Sequence, residues 1–201
     1  MDESTQNSGM NPPLFLASGS PYRAALLERL GLPFRQEAPS IDETARRGES
    51  PAETALRLAR AKAEAVLARN PGAIVIGADQ IAVRADETLG KPGTPERAME
   101  QLTHSAGRPV EFLTGVCVLG GPGEPEEHMD ITRVQFRPLS PEEIRNYVKH
   151  DNPVDCAGGF RAEGLGIALF ERIDSHDPTG LIGLPLIWLS QALRRLGLPV
   201  L

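Results

Sequence analysis

The chain is 201 residues long and 40% hydrophobic, with a formal net charge of −6 and two cysteines. That length and apolar content suffice for a buried core and exclude a disordered chain, while the acidic balance excludes a general binder of nucleic acid or anionic membranes. No apolar run approaches the roughly 18 residues that span a bilayer, and the polar opening MDESTQNSGMNPP lacks a signal peptide's charged and apolar regions, so a cytoplasmic protein without a membrane partner is expected.

Residues 1–12 read as a disordered lead. LFLA (Leu14 to Ala17) reads as a short buried strand running directly into a helix, because Gly19 permits a tight turn, Ser20 is a good N-cap and Pro21 suits the first helical position. AALLERLGL is amphipathic and stops at Gly31, and the polar loop QEAPSIDETARRGES that follows carries Asp42 and Glu43. Ser50, Pro51 and Glu53 make a capping box; the helix they open runs to about Arg69, with an apolar stripe from Ala55 to Leu67, and carries Lys62. AIVIGADQIAV (Ala73 to Val83) is a buried strand, interrupted or turned near Gly77, whose polar content is confined to Asp79 and Gln80.

LGKPGT then forms a loop with Lys91, and Thr94 followed by Pro95 starts the next helix. EFLTGVCVL and a strand from about Met129 to Phe136 flank the turn-rich GGPGEPEEH as antiparallel partners. Ser140, Pro141 and Glu143 form a second capping box, for a helix to about Lys149. A Gly-rich loop, DNPVDCAGGFRAEGLG, precedes a strand GIALFERI, a turn DPTGLIGLPL and a last helix from about Pro185 to Leu196. Alternating helices and strands without a repeat or linker point to one mixed α/β or α+β unit.

Chemistry concentrates at two places. The strand-to-helix turn at Ser18–Arg23 leaves backbone N–H groups unpaired at a helix N-terminus, where the dipole favours an anion; Ser18, Ser20 and Arg23 add donors. A phosphate group is the natural guest, and in an acidic chain it needs a local cluster of cations. Asp79 is the second place. A carboxylate inside VIGADQIAV is costly to bury unless paired, hydrogen-bonded or bound to metal, which marks it as functional. Cys117 and Cys156 are too few and too far apart for a zinc knuckle or disulfide framework, and read as free buried thiols. The four histidines show no zinc-ligand spacing.

Taken in order, SGSPYR, IDE, LARAKA, GADQ and GKP resemble the Maf-like nucleotide pyrophosphatase family, and DNPVDCAGGFRAEGLGIALFERI and DPTGLIGLPLI resemble its branch that acts on 7-methyl-GTP. The resemblance implies hydrolysis of a nucleoside triphosphate to its monophosphate and pyrophosphate with a divalent cation, Mg²⁺ or Mn²⁺. It also implies an elongated, twisted mixed sheet with flanking helices, related to the inosine triphosphatases, in which residues 13–201 form one domain of two lobes around a cleft. By position, Asp79 matches the proton acceptor. Ser18, Ser20, Arg23, Lys62 and Lys91 match phosphate-contacting positions, and Glu43 matches an acidic position that would help Asp79 hold metal. Tyr22, Gln80 and Glu163 match positions where branches differ. An aromatic face and a carboxylate suit the positively charged 7-methylguanine ring, although tryptophan is more typical at the position of Tyr22. The alternatives are a dTTP and UTP pyrophosphatase of the same family, which more usually has a basic residue there, and a non-catalytic nucleotide-binding regulator. The partner expected is a small-molecule nucleotide; the oligomeric state, a homodimer included, is left open.

Overall fold

A computed structural model describes residues 12–201; residues 1–11, most of the expected disordered lead, lie outside the described residues. Among the described residues seven strands form one mixed sheet: β1 (Leu14–Ala17), β2 (Phe34–Gln36), β3 (Ile74–Arg84), β4 (Glu87–Leu89), β5 (Pro109–Gly120), β6 (Glu126–Phe136) and β7 (Phe170–Asp174). The order is β2-β1-β3-β5-β6-β7, with β4 paired to β3. β1 is parallel to both β2 and β3, and every other pairing is antiparallel. Among the described residues five α-helices flank the sheet: α1 (Pro21–Glu28), α2 (Pro51–Leu67), α3 (Pro95–Ser105), α4 (Pro141–Asp151) and α5 (Leu186–Arg195). No helix among the described residues is long and apolar enough to cross a membrane.

The four expected caps hold the starts of α1 to α4. The Ser20, Ser50, Thr94 and Ser140 side chains each accept a backbone N–H, with proline at the head of each helix and full capping boxes on α2 and α4. Such a cap contributes about 1 kcal/mol.

Alternation along β1 splits its side chains between two cores. Leu14 and Leu16 pack with α1 and α5, whereas Phe15 and Ala17 pack with Ala59, Ala63 and Val66 of α2. Helices on both faces explain why β1 and the first half of β3 are uniformly apolar. A third core joins the far end of β3 to β5, β6, α3 and α4 around Phe112, Phe136, Leu102 and Tyr147. The long strands β3 and β5 therefore run through cores at both ends of the sheet.

One edge of β3 is paired with β5 from Ile74 to Val83. On the other edge β1 pairs only as far as Gly77, and β4 takes over at Ala82. Residues 78–81 between them have no strand partner on that edge. Asp79 and Gln80 lie in this gap, which answers why a polar pair interrupts an apolar strand.

Several expectations need correction. β3 is continuous, and Gly77 is not a break: α2 lies so close that a Cβ there would stand 2.0 Å from the Ala59 carbonyl oxygen. Gly115 on β5 is crowded in the same way, with a Cβ position 2.7 Å from the Ala55 carbonyl group. GIALFERI is not one strand, because Leu165–Leu169 forms a 3₁₀ turn and only Phe170–Asp174 pairs with β6. The cause is Gly166, whose missing side chain lets the segment fold onto the Arg161 backbone, a Cβ position lying 2.2 Å from that carbonyl oxygen. α1 ends at Glu28, short of Gly31, and β5 and β6 are longer than expected. The three-residue strands β2 and β4 are too short to show a period.

Candidate active site

The close packing of α2 on β3 places Lys62 over the gap. Ala59 and Ala63 bracket it on the helix and touch Gly77, so the lysine stem emerges beside Asp79. Lys62 is buried, and its Nζ donates to Asp79 Oδ1 at 2.6 Å. The same ammonium lies 2.7 Å from Glu43 Oε1. Two carboxylates thus converge on one cation, Asp79 from the largely buried strand and Glu43 from an exposed loop, which offsets much of the cost of burying Lys62. Lys62 holds the Glu43 carboxyl below its usual range, first through its hydrogen bond and then through its charge.

Glu43 reaches this point because its loop is tied back onto α2. Glu49 accepts from Arg57 Nε at 2.6 Å, from Thr54 Oγ1 at 3.0 Å and from the Arg46 backbone at 3.0 Å. Arg57 Nη2 also donates to the Thr44 carbonyl at 3.1 Å. These donors, Arg57 foremost, draw the Glu49 carboxyl down to about 2.

The turn at Ser18–Arg23 enters the gap from the end of β1. Ser18 is buried, and its Oγ accepts from the Ser20 backbone at 3.1 Å and from Arg23 Nη1 at 3.3 Å. Arg23 Nε donates to the Gly183 carbonyl at 3.0 Å. The two serines thus shape the turn and aim the arginine. Burial lowers the Arg23 pKa from its ordinary value, against the opposing charges of Asp79 and Glu43. Just beyond the end of β4, exposed Lys91 adds a positive charge that also acts on Glu43.

These walls bound a cleft of about 800 Å³. Every residue expected from the sequence lines it: Ser18, Ser20, Arg23, Glu43, Lys62, Asp79 and Lys91 with the phosphate-type donors and carboxylates, and Tyr22, Gln80 and Glu163 beside Leu181 and Ile182. Leu184, which follows them in the chain, lies in the core. Gln80 has a further task. Its Nε2 donates to Thr114 Oγ1 at 2.9 Å and to the Gly180 and Leu181 carbonyls at 3.1 Å, which pins the 3₁₀ turn Gly180–Ile182 against the sheet.

Four contributors were not assigned to the site from the sequence. Thr114 faces Gln80 in register and donates to the Gly180 carbonyl at 3.1 Å; a polar residue inside EFLTGVCVL is the signal that marks it. Arg161 lines the cleft beside Tyr22, with Asp151 behind it, and neither stands out within the Gly-rich stretch. Cys156 is a free thiol as expected, but it is only half-buried and lines the cleft, unlike Cys117 in the core. Burial, together with the nearby Glu163 charge, raises the Cys156 pKa.

The family model described as Maf-like protein matches residues 13–196. The chain belongs to the Maf-like family. A relative from Nitrosococcus oceani, named 7-methyl-GTP pyrophosphatase, is 50% identical over 94% of this chain and 96% of its own. One of the same name from Ralstonia nicotianae is 51% identical over 95% of this chain and 99% of its own. Among solved structures, a HAM1 protein from Coxiella burnetii superposes with a TM-score of 0.51 at 16% identity, covering 92% of this chain and all of that one, which is a likeness of fold. The fold of this chain is therefore shared with that HAM1 protein.

Proposed function

We propose that this protein is a nucleoside triphosphate pyrophosphatase that hydrolyses 7-methyl-GTP to 7-methyl-GMP and pyrophosphate. The observation that carries the reading is the convergence of Arg23, Lys62 and Lys91 with Asp79 and Glu43 in one cleft that also holds Tyr22 and Glu163. Relatives at 50% identity over nearly the whole chain, named for that activity, support it.

The work divides among the side chains by chemistry. Arg23, the backbone N–H groups at the start of α1 and Lys91 bind and orient the triphosphate. Asp79 orients a water and accepts its proton as the water oxygen attacks the α-phosphorus; the α–β phosphoanhydride P–O bond breaks and pyrophosphate departs. Lys62, Arg23 and Lys91 stabilise the charge that gathers on the departing group. Tyr22 offers an aromatic face and Glu163 a negative charge to the cationic methylated ring.

The donor set fits a hard divalent cation. Among the described residues no group of three or more His, Cys, Asp or Glu side chains could hold a metal by itself. Lys62 occupies the point on which Asp79 Oδ1 and Glu43 Oε1 converge, so a divalent cation would be held by the other oxygens of these two carboxylates, with substrate phosphates and water completing the shell. Mg²⁺ or Mn²⁺ held there would neutralise phosphate charge as a Lewis acid.

The test is a nucleotide panel with purified protein and added Mg²⁺ or Mn²⁺, scored for monophosphate and pyrophosphate. The highest kcat/KM is expected for 7-methyl-GTP. Preference for dTTP or UTP would replace this substrate, and release of orthophosphate instead of pyrophosphate would defeat the reaction class.

A further inference from the structure

An arginine stands among the groups assigned to the base, since Arg161 lines the cleft with Tyr22 and Glu163. Unmethylated guanine presents N7 and O6 as adjacent acceptors, and a guanidinium fork reads that pair. The 7-methylated ring has lost the N7 acceptor and carries a positive charge, so the same fork loses a bond and meets repulsion. A pocket that favours the methylated ring must therefore restrain this side chain.

Such a restraint is present. The Arg161 backbone N–H donates to the Tyr147 hydroxyl at 2.9 Å, which fixes the residue to α4. Its Nη2 lies 3.6 Å from Asp151 Oδ1, and the Asp151 side chain is only 4% exposed. His150 Nδ1 is the other neighbour of that oxygen, at 3.1 Å. Gly164 covers the carboxylate so closely that a Cβ would lie 2.8 Å from Oδ2. Asp151 Oδ2 and Arg161 Nε are both buried without a hydrogen-bond partner. The carboxylate has an unused oxygen and the arginine an unused N–H, the second donor and acceptor that a two-bond fork requires.

We propose that Asp151 is a positioning residue that sets base specificity, holding Arg161 away from the base so that a cationic methylated ring meets Tyr22 and Glu163 and unmethylated guanine is denied its N7 contact. This rests on the 7-methyl-GTP reading above. kcat/KM for 7-methyl-GTP and for GTP is measured on the wild type, Asp151→Asn, Arg161→Gln and the double variant. The wild type tests the reading itself, which fails if the methylated nucleotide is not preferred. Given that preference, Asp151→Asn is expected to lower the ratio of the two values about tenfold, chiefly through KM, while GTP turnover improves. In the Arg161→Gln background the same change is expected to leave the ratio unaltered. Equal loss on both nucleotides, or an effect that persists without Arg161, overturns the proposal. Should Asp151→Asn fail to fold, Arg161→Gln decides alone: a guanidinium held away from the base contributes little to discrimination, so the ratio is expected to stay within about twofold of wild type, and a change of about tenfold in either direction overturns the proposal.

Discussion

Replacing Gly77 by alanine tests how α2 is seated and, through it, the Lys62–Asp79 contact. The added Cβ would stand 2.0 Å from the Ala59 carbonyl oxygen, 2.9 Å from the Ala63 amide and 3.0 Å from the Ala63 Cβ. Real Cβ contacts essentially never fall below 3.0 Å, so the α2 backbone must retreat by about 1 Å at the turn that carries Lys62. Overpacking against backbone costs about 3 kcal/mol, which for a chain of this length lowers the melting temperature by about 6–12 °C. The catalytic effect exceeds the stability effect, because a displacement of about 1 Å costs on the order of 10²-fold in rate. Thermal denaturation and pyrophosphate release, the latter well below the melting transition, measure the two. A melting temperature within about 2 °C of wild type together with unchanged kcat would refute the tight seating of α2 as the device that places Lys62.

Four further outcomes follow from the same geometry. Asp79→Asn is expected to reduce kcat by about 10²-fold or more with KM little changed, and single-turnover rates near wild type would remove Asp79 from the chemistry. Glu163→Gln is expected to erode the preference for 7-methyl-GTP over GTP more than total turnover; equal loss on both nucleotides would sink the assignment. Gln80→Glu places an acceptor where three acceptors already point, so it should lower the melting temperature more than Gln80→Met, and the reverse order would show that those bonds do not hold the turn. Glu49 titrates near 4.3 in the unfolded chain and at about 2 in the folded one. Its folded pKa is depressed, so its contribution is present above about pH 4.3 and is lost as pH falls toward about 2. Amide exchange across residues 42–50, corrected for intrinsic rate, should therefore lose protection between about pH 4.3 and pH 2 in the wild type. In Glu49→Gln that protection should already be low at about pH 5, and identical profiles would contradict the role of Glu49.

Amino-acid order alone determines the local features of this protein. Caps at Ser20, Ser50, Thr94 and Ser140 act within one helical turn, and the apolar runs of β1 and β3 announce burial on both faces. Asp79 is legible because a charge inside an apolar strand has so few inexpensive explanations. What Gly77 does is not legible. A glycine in a strand can mark a bend or a close approach, and only the position of α2 shows that it is the latter. Gln80 and Thr114, thirty-four residues apart, become one device only when β3 and β5 align them under the turn at Gly180. Asp151 and Arg161 look like ordinary charges until Gly164 folds over them and buries their unpaired atoms. Caps and periodicity depend on neighbours in the chain, whereas the gap that opens the cleft depends on where β1 stops and β4 begins along β3. Long-range pairing sets that gap, and no single segment encodes it.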